Sequence, residues 1–373
     1  MGILQDILDK ITNIKSLKQT LFNKLLTMYL VEYGATLEDC VNAVNRMPYY
    51  GEVIQYNLST KDQLHRIEKG YYGGSYTVGI DALQQQRIIP ENIKKGVSIL
   101  GVAGELNAGD IAALLDRSIT TLENDEVTSL GAYAFAGCSN LYRINLERVT
   151  SVGAYAFRDC IVLYDVNLPS VQTLGQYAFY GCSELFTFSS DTLTNIGNFA
   201  FYECSGLSIF EALAVETLGS NAFSGCTSLT DVNFPMLGNT GWTSAFEDCT
   251  GLTMAAIPNV SKIPNSAFSG CTSLTDVYAD SAETIDMYAF ENCSSLASIE
   301  LPYATLIKNH AFRNCTSLTE LILPGDTMCN YEGSTVFYNT PIANGTGKIK
   351  VNANLLNSYK TYWHEYESQI EAI

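Results

Sequence analysis

The block Ala-Phe-x-x-Cys-x-x-Leu recurs nine times in one register, first as AFAGCSNL from Ala134 to Leu141. Its phenylalanines are Phe135, Phe157, Phe179, Phe201, Phe223, Phe246, Phe268, Phe290 and Phe312, spaced by 22 residues except for one 23-residue unit that carries Trp242. A fixed period of this length means a solenoid, because one such unit cannot bury its own apolar side and must lie against the next. In the unit VTSVGAYAFRDCIVLYDVNLPS, Val149 to Ser170, the apolar positions are those kept in every copy, while the residues between them drift. A continuous core along the stack is therefore expected, with function on the outside.

The cysteines obey the same register. Nine of the eleven lie in the ladder from Cys138 to Cys315, and only Cys40 and Cys329 stand apart. Neighbouring strands of a parallel sheet lie ~4.8 Å apart, but side chains stacked in register point the same way and do not reach the ~3.8 Å Cβ separation of a disulfide. No C-x-x-C occurs, so the short paired spacing of a metal site is missing too. The expectation is buried free thiols that act as small hydrophobes.

On these Ala-Phe, Cys and Leu positions, the chain from about Thr120 onward resembles the leucine-rich repeat family of the BspA type, found in bacterial surface and secreted proteins and in some phage-encoded ones. The resemblance implies a fold and a binding role, and no reaction. The expected fold class is α+β: a right-handed β-solenoid of about ten coils with one parallel strand each, forming one continuous sheet, with an α-rich N-terminal head and capped ends. Residues 1–48 form the head, 49–109 a linker and small β-hairpin module, 110–126 the N-terminal cap, 127–325 the solenoid and 326–373 the C-terminal cap. In that last segment Phe337 replaces the Ala-Phe block, GKIKV (347–351) reads as the last strand, Leu355 to Tyr366 as a closing helix, and Trp363 as the seal of the core.

Within the head, Leu4, Ile7, Ile11, Ile14, Leu21, Leu25 and Met28 fit heptad a and d positions, with Lys18 at one polar a site. Two readings fit: an amphipathic helix packed on the next domain, or a short parallel coiled coil that sets a homo-oligomer, such as a trimer, through residues 3–31. Thr36 and Asp39 cap a second helix that runs to about Arg46. Tyr71, Tyr72 and Tyr76 sit in a glycine-rich stretch and read as linker or packing tyrosines, or as an aromatic platform for carbohydrate. ENIKKGVSILGVAGEL (91–106), together with GATLEDCVNAVN, resembles short modules of phage tail-fibre and baseplate proteins.

The formal net charge is −18, which repels phosphate backbones and anionic lipid surfaces, so nucleic acid is not an expected partner. No run of 18 apolar residues is present to span a bilayer, and the N-terminus has no basic and apolar signal-peptide pattern. The expected location is extracellular, at a cell surface or on a virion, and three origins fit a chain without a visible signal: a cytoplasmic product, one synthesised in the cytoplasm and released by lysis, or one whose signal has been removed. His65, His310 and His364 have no partners at a telling spacing, and no metalloprotease, nucleophile-elbow or phosphate-loop motif occurs. An enzyme, a metal and a cofactor are not expected.

Successive side chains of a strand face opposite ways. In LYRINL, Ile144 and Leu146 point inward, so Arg143 and Asn145 point out. The same register places Asp165 and Asn167, Asp231 and Asn233, Asp276 and Tyr278, Glu300 and Glu320 on the outer face, an acidic and amide-rich row. The expected partner is a protein or a surface glycan on a host or target cell. Two settings remain, a phage or prophage tail or receptor-binding component and a bacterial surface adhesin.

Overall fold

In the computed structural model, residues 118–239 and 241–373 are described. The expected helical head, the linker with its hairpin, the oligomer contacts through residues 3–31 and the start of the N-terminal cap lie outside the described residues. From Thr121–Glu123 onward a strand of three residues, or four in Glu320–Leu323 and Lys348–Val351, opens each coil, and the strands stack in parallel through about eleven coils. At nearly every coil the middle residue of that strand is buried and its neighbours are not, as in Arg143–Asn145, Asp231–Asn233 and Ser298–Glu300.

The chain departs from the expected single strand per coil. A second, two-residue strand follows in most coils, and these stack as a separate parallel ladder: five from Ser129–Leu130 to Thr217–Leu218, and four from Lys262–Ile263 to Asn330–Tyr331. Two residues are too few for an alternation to show in sequence. The break between the two runs falls at the 23-residue unit. There Trp242 takes the place, three residues before the alanine, that Gly131, Gly153, Gly175, Gly197 and Gly219 hold in the coils before it. Those glycines let adjacent coils approach closely: a Cβ on Gly153 would lie 2.5 Å from the Gly131 carbonyl carbon. Trp242 is instead fully buried, edge-on to Phe246 and Phe268 at 6.3 and 6.0 Å.

Nor is the first ladder one continuous hydrogen-bonded sheet. Its strands remain neighbours throughout, but the ladder is interrupted after Asp165–Asn167, after Ile209–Glu211 and after Asp276–Tyr278.

The Ala-Phe segment turns the chain without a helix. The residue before each alanine has a left-handed backbone, from Tyr133 (φ 61°) and Tyr155 (60°) to Ser266 (53°) and His310 (62°). A second left-handed residue precedes each ladder cysteine, glycine in some coils and Asp159, Glu203, Asp248, Asn292 or Asn314 in others. Non-glycine residues adopt this conformation at a cost, and two per coil prevent a helix. The segment is held by bonds between coils: the Phe157 amide donates to the Ala178 carbonyl (2.8 Å), Phe179 to Ala200 (2.7 Å) and Phe201 to Ala222 (2.7 Å). Behind it the phenylalanines form an unbroken stack from Phe135 to Phe337 with centroids 5.1–5.8 Å apart.

Each ladder cysteine from Cys160 onward donates its Sγ proton to the carbonyl of the phenylalanine one coil earlier, at 3.0–3.1 Å, as Cys204 does to Phe179 and Cys226 to Phe201. All nine are buried thiols that form no disulfide, as is Cys329. Burial pushes the Cys182, Cys226, Cys271 and Cys293 thiols far above their ordinary range and the Cys329 thiol up to about 12.

At the far end the expected closing helix is composite, with a 3-10 turn Ala353–Leu355, an α-helix Leu356–Tyr362 and a second 3-10 segment His364–Gln369. Trp363 is buried against Phe337, and its indole N–H donates to the Cys329 carbonyl at 3.0 Å. Lys348–Val351 is not the last strand, because Ile370–Ala372 pairs in parallel along its outer edge. Among the described residues no helix is long and apolar enough to cross a membrane.

Candidate binding face

The outward residues of the three-residue strands form two parallel rows. The first runs Arg143, Asp165, Thr187, Ile209, Asp231, Met254, Asp276, Ser298, Glu320; the second runs Asn145, Asn167, Ser189, Glu211, Asn233, Ala256, Tyr278, Glu300, Ile322. All ten residues singled out in the sequence lie in these rows, but their surroundings differ.

At the N-terminal end, side chains of the face satisfy one another. Arg143 lies 3.2 Å from the Asp165 carboxylate and 3.8 Å from that of Glu123, and the Asn167 amide donates to Asn145 Oδ1 at 2.6 Å. At the C-terminal end, Lys350 Nζ donates to Glu320 Oε1 at 2.8 Å. Exposed pairs of this kind add little stability, and they leave these groups less free for a partner.

The middle is different. Asp231 accepts a hydrogen bond from the hydroxyl of its neighbour Thr230 (3.0 Å), and Asp276 accepts one from Thr275 (2.7 Å), which orients both carboxylates without neutralising them. Between Asn233 and Tyr278 the register places Ala256, so a small side chain separates an exposed amide from an exposed ring. Tyr278 is 53% exposed. This part of the face can receive hydrogen-bond donors and cations and offers one aromatic surface.

A separate ion cluster sits on the second ladder, where Asp286 takes Lys262 and Lys308 at 2.7 Å each. Burial pushes the Asp286 carboxyl up, but the hydrogen bonds and charges of the two lysines outweigh it and hold the group below the usual carboxylate range. His310, which precedes the last Ala-Phe block, stacks on Tyr288 at 4.8 Å and shares a hydrogen bond with the Thr335 hydroxyl. Among the described residues no group of three or more His, Cys, Asp or Glu side chains is placed to hold a metal ion.

Sequence reasoning missed a set of exposed apolar side chains on the first coils, Tyr142, Ile161, Val162, Tyr164, Phe186 and Ile209. Their signal is a departure from the repeat: most other coils carry serine, threonine or another polar residue at these positions.

A family model described as a BspA-type leucine-rich repeat region matches residues 117–230 and 242–359. Among solved structures, the chain is similar to a leucine-rich repeat protein from Bacteroides ovatus, with 23% identity, 68% of this chain and 92% of that one covered and a TM-score of 0.28. It is similar to a leucine-rich repeat protein from T. pallidum (24% identity, 47% and 77% covered, TM-score 0.36) and to a leucine-rich cell surface protein from Faecalibacterium prausnitzii (22% identity, 59% and 81% covered, TM-score 0.28). No curated protein matches the sequence.

Proposed function

The chain belongs to the BspA-type leucine-rich repeat family, and on that premise we propose that it is a recognition protein that holds a protein or surface glycan on its outward strand face and makes or breaks no bond there. The observation that carries this reading is the division of the repeat. The inward Ala, Phe, Cys and Leu of the block are the same in all nine repeats, whereas the two outward rows change along the stack, with only Asn145 and Asn167 alike in neighbouring coils, and offer a varied surface roughly 40 Å long. Asp231, Asn233, Asp276 and Tyr278 form its working centre.

Charge favours a basic protein as the partner. Of the 39 acidic and 21 basic side chains, 26 and 9 lie after Arg117, so −17 of the formal −18 belongs to residues 118–373. Attachment of a basic protein weakens as salt shortens the screening length to about 8 Å and below, whereas glycan binding through amides and Tyr278 is nearly independent of salt. The test is binding of host-surface extracts at low and high salt by the parent and by a variant with alanine at Asp231, Asn233, Asp276 and Tyr278. Loss of binding in the variant supports the reading. Unchanged binding removes the centre of the strand face as the site.

The setting we assign is extracellular, and two versions of it carry different partners. A bacterial surface adhesin fits the family. A phage or prophage tail component rests on the resemblance of GATLEDCVNAVN and ENIKKGVSILGVAGEL, ahead of the solenoid, to short tail-fibre and baseplate segments. Tail-morphogenesis genes beside this one would decide for the second.

A further inference from the structure

We propose that the first coils carry an apolar anchor site for a basic partner protein, formed by Tyr142, Ile161, Val162, Tyr164, Phe186 and Ile209. It rests on the recognition reading above, but puts the strongest contact at the edge of the face rather than at its centre.

The column that holds Tyr142, Tyr164 and Phe186 has a structural occupant elsewhere. In the later coils it carries Thr230, Thr253, Thr275 and Thr319, with Ser208 and Ala297 at the other two places, and the threonine hydroxyl donates to the carbonyl one coil earlier: Thr253 to Thr230 (3.0 Å), Thr275 to Thr253 (3.1 Å) and Thr319 to Ala297 (3.2 Å). The three aromatic residues give up that bond and remain 50%, 55% and 42% exposed. Neighbouring columns repeat the pattern. The position of Ile161 is serine or threonine in the other eight repeats, as in Ser183 and Thr227, where the hydroxyl again caps a carbonyl of the coil before. That of Val162 is polar or glycine in the other repeats, and that of Ile209 is charged or polar in most.

Six departures from a polar consensus therefore gather on four consecutive coils. Backbone bonds fix their adjacency, Tyr164 N–H to the Tyr142 carbonyl (2.9 Å) and Ile209 N–H to that of Phe186 (3.3 Å). None of them contributes to the stack as threonine would, and contiguous exposed apolar surface with a charged rim marks a protein interaction site. The Tyr164 and Phe186 rings stack on each other at 5.9 Å, so their faces are turned toward one another rather than presented to a sugar ring.

The rim selects the partner. Exposed Glu123, Glu184 and Glu211 surround the patch, and Arg143 is held by Glu123 and Asp165. Between residues 118 and 239 there are 12 acidic and 3 basic side chains, so a second copy of this chain would bring like charge to the same rim. A protein surface with apolar side chains set among lysines and arginines fits both parts.

The test uses the full chain and a fluorescein-labelled peptide that alternates Lys with Leu and Phe, read by anisotropy. Controls are the same peptide with Glu for Lys, and with Ser for Leu and Phe. Two variants install the column's own residue type, Tyr142→Thr/Tyr164→Thr/Phe186→Thr and Ile161→Ser/Val162→Ser, so that each keeps the repeat. A third carries alanine at Asp231, Asn233, Asp276 and Tyr278. The expected result is binding of the first peptide only, weakened about tenfold or more by either of the first two variants. If only the third variant weakens binding, the anchor is overturned and the strand-face centre stands. No binding by the parent, equal binding of the Glu or Ser peptide, or no loss in any variant overturns the anchor, and in that last case the centre loses its support as well.

Discussion

Phe201 shows how one residue type carries the array. Its ring is fully buried between Phe179 at 5.3 Å and Phe223 at 5.2 Å, with Phe188 and Phe210 edge-on. Phe201→Ala opens a cavity that neighbours on both sides cannot fill, and should cost roughly 3–5 kcal/mol in denaturant unfolding. A loss below about 1 kcal/mol would mean that the stack yields easily. The ladder thiols make a pH-dependent prediction. Burial raises the pKa of the thiols from Cys182 to Cys315, whereas an unfolded cysteine ionises near ~8.5. Above that pH the folded chain holds more protons than the unfolded one, so the stability that is fully present below it is lost as pH rises. Thermal unfolding at pH 8 and pH 10 should show the drop, shallower in Cys226→Ala by up to about 1.4 kcal/mol per pH unit. Alkylation of the native protein should label few of the nine, and all nine after denaturation. Both features were legible in the sequence because an inward residue has one environment, repeated. The exposed Tyr142, Tyr164 and Phe186 were not, since they register only as an absence of threonine.

At the scale of the element, the left-handed position before each alanine is filled by Tyr, Phe, Asn, Ser or His and never by glycine in the nine repeats. In the first four coils the compensation is visible, because Tyr133, Tyr155, Tyr177 and Phe199 stack at 4.6–4.8 Å. Ser244 has the same backbone (φ 53°) and no ring to stack. Tyr177→Gly should therefore destabilise the chain although it relieves the backbone, while Ser244→Gly should be neutral or stabilise it by up to about 1 kcal/mol. Thermal unfolding of the two variants checks this, and equal shifts would remove the stack as the compensating term. The Tyr-Ala-Phe motif gave no hint of the turn, because left-handed residues are usually sought as glycines. The second strand of each coil escaped for a related reason, being shorter than the alternation that identifies a strand. The outward rows were legible, since period two fixes the facing once one buried residue is known. Which part of them is free was not, because the pairing of Arg143 with Asp165 and of Glu320 with Lys350 joins residues 22 and 30 positions apart.

Across the whole molecule, constancy inside allows variety outside. The 23-residue unit tests this division. It interrupts the two-residue ladder and replaces a glycine by Trp242, yet the phenylalanine stack passes through it from Phe223 to Phe246 to Phe268 at 5.5 and 5.3 Å. The amide bonds pass through as well, Phe223 to Ala245 at 2.8 Å and Phe246 to Ala267 at 2.9 Å. If the repeat's invariant residues serve only to bind coil to coil, protection must be continuous along the axis whatever the outer face carries. Native-state amide hydrogen exchange, resolved to the phenylalanine amides from Phe157 to Phe290, measures this directly. The expected result is high and equal protection at each of them, without a step at Trp242. Fast exchange at the phenylalanine amides beside protected strands, or a sharp fall across residues 237–246, would contradict it.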